Sequence, residues 1–217
     1  MAYRKRNYKK KRTYKRKRKQ LTLMKSPVQN KMFTKMRYYF ETSFTTGVAG
    51  ISYTHVVTAN GLFDPDITSI GHQPRGFDQL MTLYDHYVVL GSKMTARITG
   101  NASADVVPTN FGIAIKDSDT TSSNPNDYME NSSVTSTIWS ASTASRQLTK
   151  SFSTKKFLGR TNVLSDPQLK GSTAGNPTEQ GYFHIFAFGQ EAGSTYNVNG
   201  WVDYLVCLIE PKTPTQS

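Results

Sequence analysis

Acidic residues are missing from the first nineteen positions of this 217-residue chain, and Leu, Ile, Val and Phe are missing from the first twenty. A segment with no apolar side chains has nothing to bury, and one with no carboxylates cannot neutralise itself. Residues 1–19 are therefore expected to stay disordered until an anionic partner arrives. Cysteine is almost absent as well: Cys207 stands alone, which excludes an internal disulfide and any zinc site needing two thiolates from one chain. Long hydrophobic runs are missing too. The longest, Tyr204-Leu-Val-Cys-Leu-Ile209, falls far short of the roughly 20 residues that span a bilayer, and no apolar stretch follows the basic start as a secretion signal requires. The expectation is a soluble, non-secreted chain made inside a cell, with no membrane insertion. No internal repeat of 20–50 residues is visible, which removes propellers and solenoids.

What the sequence has in excess is positive charge, and it is placed unevenly. The formal charge is +12 and the isoelectric point about 9.7. Arg4, Lys5, Arg6, Lys9, Lys10, Lys11, Arg12, Lys15, Arg16, Lys17, Arg18 and Lys19 account for all of the surplus, because residues 20–217 hold fifteen basic and fifteen acidic side chains. The chain thus reads as a neutral body with a polycation attached, which argues against a folded face that tracks a duplex. Tyr3, Tyr8 and Tyr14 punctuate the basic run; aromatic rings among cations offer unpaired bases a stacking surface of roughly 1–3 kcal/mol each. Compositional drift in a low-complexity tail accounts for them equally well. The clusters Lys9-Lys-Lys-Arg12 and Lys15-Arg-Lys-Arg-Lys19 also have the form of nuclear-import addresses, which host import receptors would read. Residues 20–35, with Pro27, read as a linker, so that 1–35 form a basic arm with its linker and 36–217 the folded domain. Fully extended, some thirty residues reach on the order of 100 Å.

From Lys35 onward the period is two. Tyr38, Phe40, Thr42 and Phe44 share one face and Tyr39, Glu41 and Ser43 the other; Ile51, Tyr53, His55 and Val57 repeat the alternation up to an Asn60-Gly61 turn. A long strand is expected from Leu83 to Thr99, another through Phe111, Ile113 and Ile115, another from Phe183 to Phe188, and a last from Tyr196 to Ile209. Trp201, Leu205, Cys207 and Ile209 there oppose Val202, Tyr204, Val206 and Leu208. Apolar side chains on both faces mark that strand as central. Serine and threonine together number 47, and no stretch sustains an apolar helical stripe over three turns. An all-β sandwich or jelly roll follows. The long polar loops 117–130 and 164–180 are expected on an outward surface.

Candidate chemistry is sparse. His55, His72, His86 and His184 occur singly, without metal-ligand spacing, and each reads as a packed or hydrogen-bonded side chain. Asp64-Pro-Asp66 and the loop carboxylates Asp117, Asp119 and Asp127 admit Ca²⁺ binding between subunits or acid–base work, although turn chemistry is the commoner reason for such residues. Cys207 reads as a small core residue. No nucleophile elbow, phosphate-binding loop or dinucleotide fingerprint is present. No enzyme activity and no cofactor are expected.

The run Asn60-Gly-Leu-Phe-Asp-Pro-Asp66, then Gly71-His-Gln-Pro-Arg-Gly-Phe-Asp-Gln79, then Tyr84-Asp-His-Tyr87 with Val88-Val89 resembles the capsid proteins of circular Rep-encoding single-stranded DNA viruses, the circovirus-like group. The tail is similar in character, though richer in lysine than the arginine-dominated tails of typical circoviruses. The resemblance implies a single eight-stranded antiparallel jelly roll in two four-stranded sheets. It also implies an icosahedral shell of sixty copies, single-stranded DNA packaged by the arm, residence in the virion and host nucleus, and attachment to sulfated polysaccharide. Sixty arms of +12 supply about 720 charges, enough for a strand on the order of a thousand nucleotides. Gly71, Pro74 and Gly76 are expected to fix the loop, Phe77 to anchor it, and His72, Gln73, Pro74, Phe77 and Asp78 are the candidate subunit contacts; a loop that braces its own strand is the equal alternative. A satellite-type RNA virus coat and a non-viral β-sandwich that binds nucleic acid remain open, because these residues do not distinguish deoxyribose from ribose.

Overall fold

A computed structural model describes residues 28–47, 50–68, 71–100, 107–140, 145–189 and 191–213. Eight strands run β1 (Lys31–Thr45), β2 (Tyr53–Thr58), β3 (Tyr84–Gly100), β4 (Thr109–Lys116), β5 (Val134–Trp139), β6 (Arg146–Ser153), β7 (Tyr182–Gly189) and β8 (Thr195–Pro211). Three short helices, α1 (Phe77–Met81), α2 (Asn126–Met129) and α3 (Thr154–Phe157), and a 3₁₀ turn (Pro167–Leu169) lie between them. The strands form two antiparallel sheets of four, ordered β1-β8-β3-β6 and β2-β7-β4-β5. Only β4 and β5 pair as consecutive strands; elsewhere the chain crosses from sheet to sheet. The Asn60-Gly61 segment accordingly closes no hairpin: Asn60 is buried and binds the Glu179 carbonyl and the Gly181 N–H.

The core lies between the sheets. Met36 and Tyr38 of β1 lie opposite Tyr204 and Val202 of β8, Phe40 and Phe44 lie opposite Gly200 and Tyr196, Val206 and Leu208 continue the same inner face, and the second sheet contributes Phe111, Ile113, Phe183 and Ile185. β8 is central and apolar on both faces, as its sequence indicates, but the outer face divides. Cys207 and Ile209 are covered by Val163 and Leu169, whereas Leu205 is 42% exposed. The first strand begins at Lys31, inside the segment read as linker, because Met32 and Val28 already pack on the core.

β3 breaks the simple alternation expected over 83–99. A bulge between Val89 and Gly91 shifts the register against β8, so Tyr87 and Val89 point inward before it and Met94, Ala96 and Ile98 after it. Thr154 at the start of α3 donates its hydroxyl to the Val89 carbonyl (2.6 Å), which keeps the irregular stretch from burying an unpaired acceptor. The sequence pattern does not signal β5, β6, the three short helices or the 3₁₀ turn.

Candidate assembly loop and basic sheet face

The segment 71–81 connects β2 to β3 and carries the candidate contact residues. Gly76 sits at φ 87°, a left-handed conformation that costs glycine nothing, and it turns the chain into α1. Phe77 is driven into the core and meets Tyr87 edge-on at 5.5 Å; Pro74 is buried beside it. These two therefore anchor the loop within their own chain. His72 and Asp78 stay at the surface and Gln73 is half-buried. The His72 ring lies on Tyr38, with Nδ1 2.9 Å from the Gln73 carbonyl oxygen and Nε2 3.1 Å from that of Tyr39, so it braces the loop against β1. The depression along residues 73–80 holds about 630 Å³.

The three sequence runs behind the resemblance converge in space. Tyr87, fully buried, accepts hydrogen bonds from the N–H groups of Leu62 (3.0 Å) and Phe63 (3.3 Å) and donates to Asn176 Oδ1 (3.1 Å). Asn176 Oδ1 also accepts from the Phe63 N–H, and its amide donates to the Asp64 carbonyl (2.8 Å). Burial pushes the Tyr87 hydroxyl up to about 12, which keeps it a neutral donor. Part of the long 164–180 loop is thus inward-facing structure, contrary to the expectation that it serves only an outward surface.

Asp66 is committed to local contacts. Its Oδ1 accepts from the Thr68 N–H (3.0 Å) and hydroxyl (2.8 Å), and its Oδ2 lies 3.4 Å from the Tyr38 hydroxyl and 3.3 Å from His55 Nε2. The His55 contact is close enough for an ion pair but misaligned for a hydrogen bond, and Nε2 has no hydrogen-bond partner. Burial lowers the His55 pKa against the pull of Asp66, which makes the neutral ring the native form. Asp127 likewise accepts from the Ser122 hydroxyl within its own loop. Both carboxylates perform turn chemistry. Among the described residues, no group of three or more His, Cys, Asp or Glu side chains is placed to hold a metal ion.

The register brings together a surface that the linear sequence hides. On the outer face of β1-β8-β3-β6, Arg37 lies opposite Asp203, which pairs with Lys93; Lys35 lies opposite Leu205; Tyr39 lies opposite Trp201; and Asn199 lies between Glu41 and Arg97. Five cations (Lys31, Lys35, Arg37, Lys93 and Arg97) meet two carboxylates there, Glu41 and Asp203. Arg37 binds Asp203 through two hydrogen bonds of 2.6 and 2.9 Å, and its guanidinium sits 5.5 Å from the Trp201 ring centroid. Among the described residues, Lys31, Lys35, Lys93 and Arg97 make no ion pair. The opposite sheet is covered by the 117–131 segment, whose Tyr128 stacks on Phe186 at 4.7 Å. That cover exposes Asp117, Asp119, Asp127 and Glu130. The body is neutral in sum and polarised across its thickness. The twelve arm cations and Tyr3, Tyr8 and Tyr14 lie outside the described residues.

The architecture matches that of solved virus structures. The structure of Cocksfoot mottle virus superposes with a TM-score of 0.52 at 11% identity, covering 85% of this chain and 97% of that one. The fold is an eight-stranded jelly roll, shared with that virus structure. The decameric BFDV capsid protein aligns at TM-score 0.47 and 14% identity over 82% of this chain and 99% of that one. A semi-empty virus-like particle of the nodavirus of the giant freshwater prawn Macrobrachium rosenbergii aligns at TM-score 0.46 and 10% identity, over 88% and 100%. No protein-family model and no curated protein sequence matches the chain.

Proposed function

We propose that this chain is the coat protein of a circovirus-like virus, assembling into a closed icosahedral shell of sixty copies and packaging single-stranded DNA through residues 1–19. The observation that carries the reading is the union of a two-by-four jelly roll with an acid-free segment of twelve cations. Such a segment condenses a polyanion by releasing its counterions and needs no base readout. The jelly-roll bodies supply self-complementary edges and loops that close by symmetry, with His72 and Asp78 at the surface of the contact loop and Pro74 and Phe77 holding that loop in shape. Before assembly, the clusters at 9–12 and 15–19 direct the chain to the nucleus; after it, the same side chains sit on phosphates.

Electron microscopy of the purified full-length chain tests the assembly: a closed particle near twenty nanometres is expected, and elution as a monomer near 24 kDa would overturn it. Deletion of residues 1–19 is expected to leave folded subunits whose absorbance ratio at 260 and 280 nm drops to that of protein alone. An unchanged ratio would remove the arm from packaging. Digestion of the extracted nucleic acid with deoxyribonuclease and with ribonuclease, in parallel, separates the DNA reading from a satellite-type RNA coat.

A further inference from the structure

We propose that the open outer face of the β1-β8-β3-β6 sheet is a second nucleic-acid site, in which Lys35, Lys93 and Arg97 hold phosphates of a single strand and Trp201, braced by Arg37, stacks one of its bases. The inference rests on the packaging reading only for the identity of its ligand; the site itself is built from the folded body.

Strands in a sheet lie about 4.8 Å apart and alternate residues on one face about 7 Å apart. Lys35, Arg37, Trp201 and Lys93 therefore share a patch roughly two strands wide. A hollow of about 590 Å³ lies there beside the bulge at Val89 and Gly91, lined by Lys35, Arg37, Lys93 and the Arg37-bound Asp203 together with Gly91 and Leu205. Its size falls within the roughly 300–1,000 Å³ of ligand clefts. Phe33 at 60%, Tyr39 at 44% and Leu205 at 42% exposure add apolar surface beside the cations, a combination suited to unpaired bases on a charged backbone and poorly suited to a free anion. The asparagine, threonine and serine side chains filling the rest of the face carry no charge that would repel phosphate.

Two observations single out nucleic acid as the occupant. Charge complementarity is the first, since cations outnumber carboxylates five to two and one carboxylate is already bound to Arg37. Continuity is the second. Residues 1–27 enter the body through Val28 and β1, the strand that carries Lys31, Lys35 and Arg37. A strand gathered by the arm is delivered to this face. The opposite face, under its exposed acidic segment, repels it.

The chain has two tryptophans, and Trp139 is buried. Trp201 is therefore the fluorophore that a base can reach. Full-length subunits, dissociated at high ionic strength and dialysed to low salt with a 20-residue oligodeoxythymidine, are expected to lose tryptophan emission excited at 295 nm. The loss should persist in Trp139→Phe and vanish in Trp201→Phe. Inorganic polyphosphate is expected to compete for binding without quenching. The surface variant Lys35→Ala/Lys93→Ala, which touches no core residue, should lower affinity about tenfold and reduce the slope of log K against log salt by about 1.4, from roughly 0.7 per phosphate contact. Oligonucleotide binding by anisotropy with unchanged emission, and with unchanged affinity in Lys35→Ala/Lys93→Ala, would overturn the sheet-face site and leave packaging by the arm intact. Loss of anisotropy binding altogether would overturn both readings. Emission that changes on assembly without oligonucleotide, and no further with it, would give the face to a second copy of the chain and overturn the inference.

Discussion

His184 shows how one buried side chain sets a pH limit. Its Nε2 lies 2.7 Å from the Ser118 carbonyl oxygen, which can only accept, so Nε2 carries the proton and the buried Nδ1 is left without a partner. A second proton would have nowhere to go. Burial, reinforced by nearby Lys116, lowers this histidine to about 4. The unfolded chain, with an ordinary histidine near 6.5, then binds more protons than the folded one between about pH 4 and 6.5, so stability is complete above that window and falls as pH drops through it. The shift corresponds to about 3 kcal/mol at most. Urea unfolding of subunits at pH 7 and at pH 4.5 should show the difference, and His184→Gln should flatten it; a wild-type midpoint independent of pH across this window would contradict the argument. Gly200 is a second residue-scale constraint. It faces Phe40 across β1 and β8, and an added methyl would come 2.5 Å from the Phe40 ring and 2.9 Å from the Thr95 carbonyl oxygen. Gly200→Ala is expected to cost about 1–3 kcal/mol by overpacking, read as a lower urea midpoint at unchanged slope.

At the scale of elements, strands are legible when their core face is apolar and their register unbroken. β1, β4, β7 and β8 meet both conditions. β5 and β6 keep an unbroken register but lack a continuous apolar core face: in β5 Thr135 and Thr137 turn inward while Ile138 is 57% exposed, which inverts the hydropathy expected of an amphipathic strand, and in β6 Lys150 shares the inner face with Leu148 and Phe152. The bulge in β3 hides the phase change between Tyr87 and Met94 because both halves alternate correctly by themselves. The loop anchor Phe77 was readable from glycine and proline placement. The basic face was not, since Lys35, Lys93 and Arg97 belong to strands separated by some fifty residues of sequence and become neighbours only through β8. The link from β3 to the 60–66 segment was also invisible, because it depends on one hydroxyl. Tyr87→Phe removes that hydroxyl, strands the buried Leu62 N–H and weakens the clamp from Asn176. A loss of about 1–3 kcal/mol is expected, with faster hydrogen exchange at Leu62 and Phe63 than at β8; exchange unchanged at both residues would show that Asn176 alone holds the segment.

At the scale of the molecule, the arrangement of charge fixes an orientation. The basic sheet face and β1, the strand that follows the arm in sequence, lie on one side of the sandwich, and Asp117, Asp119, Asp127 and Glu130 are exposed on the other. In the shell proposed above, such bodies gain attraction to an enclosed polyanion only if the β1-β8-β3-β6 face points inward, because the reverse would set the four carboxylates against that polyanion. Orientation is thereby coupled to contents. In filled particles, Lys35 and Lys93 are expected to resist an amine-reactive reagent that modifies them in dissociated subunits, while carbodiimide-driven labelling of Asp119 and Glu130 proceeds equally in both forms. Mass spectrometry of tryptic peptides reads all four positions in one sample. Lysine labelling that is equal in particles and subunits, or carboxylate labelling lost on assembly, would place the acidic segment inside and reverse the proposed wall.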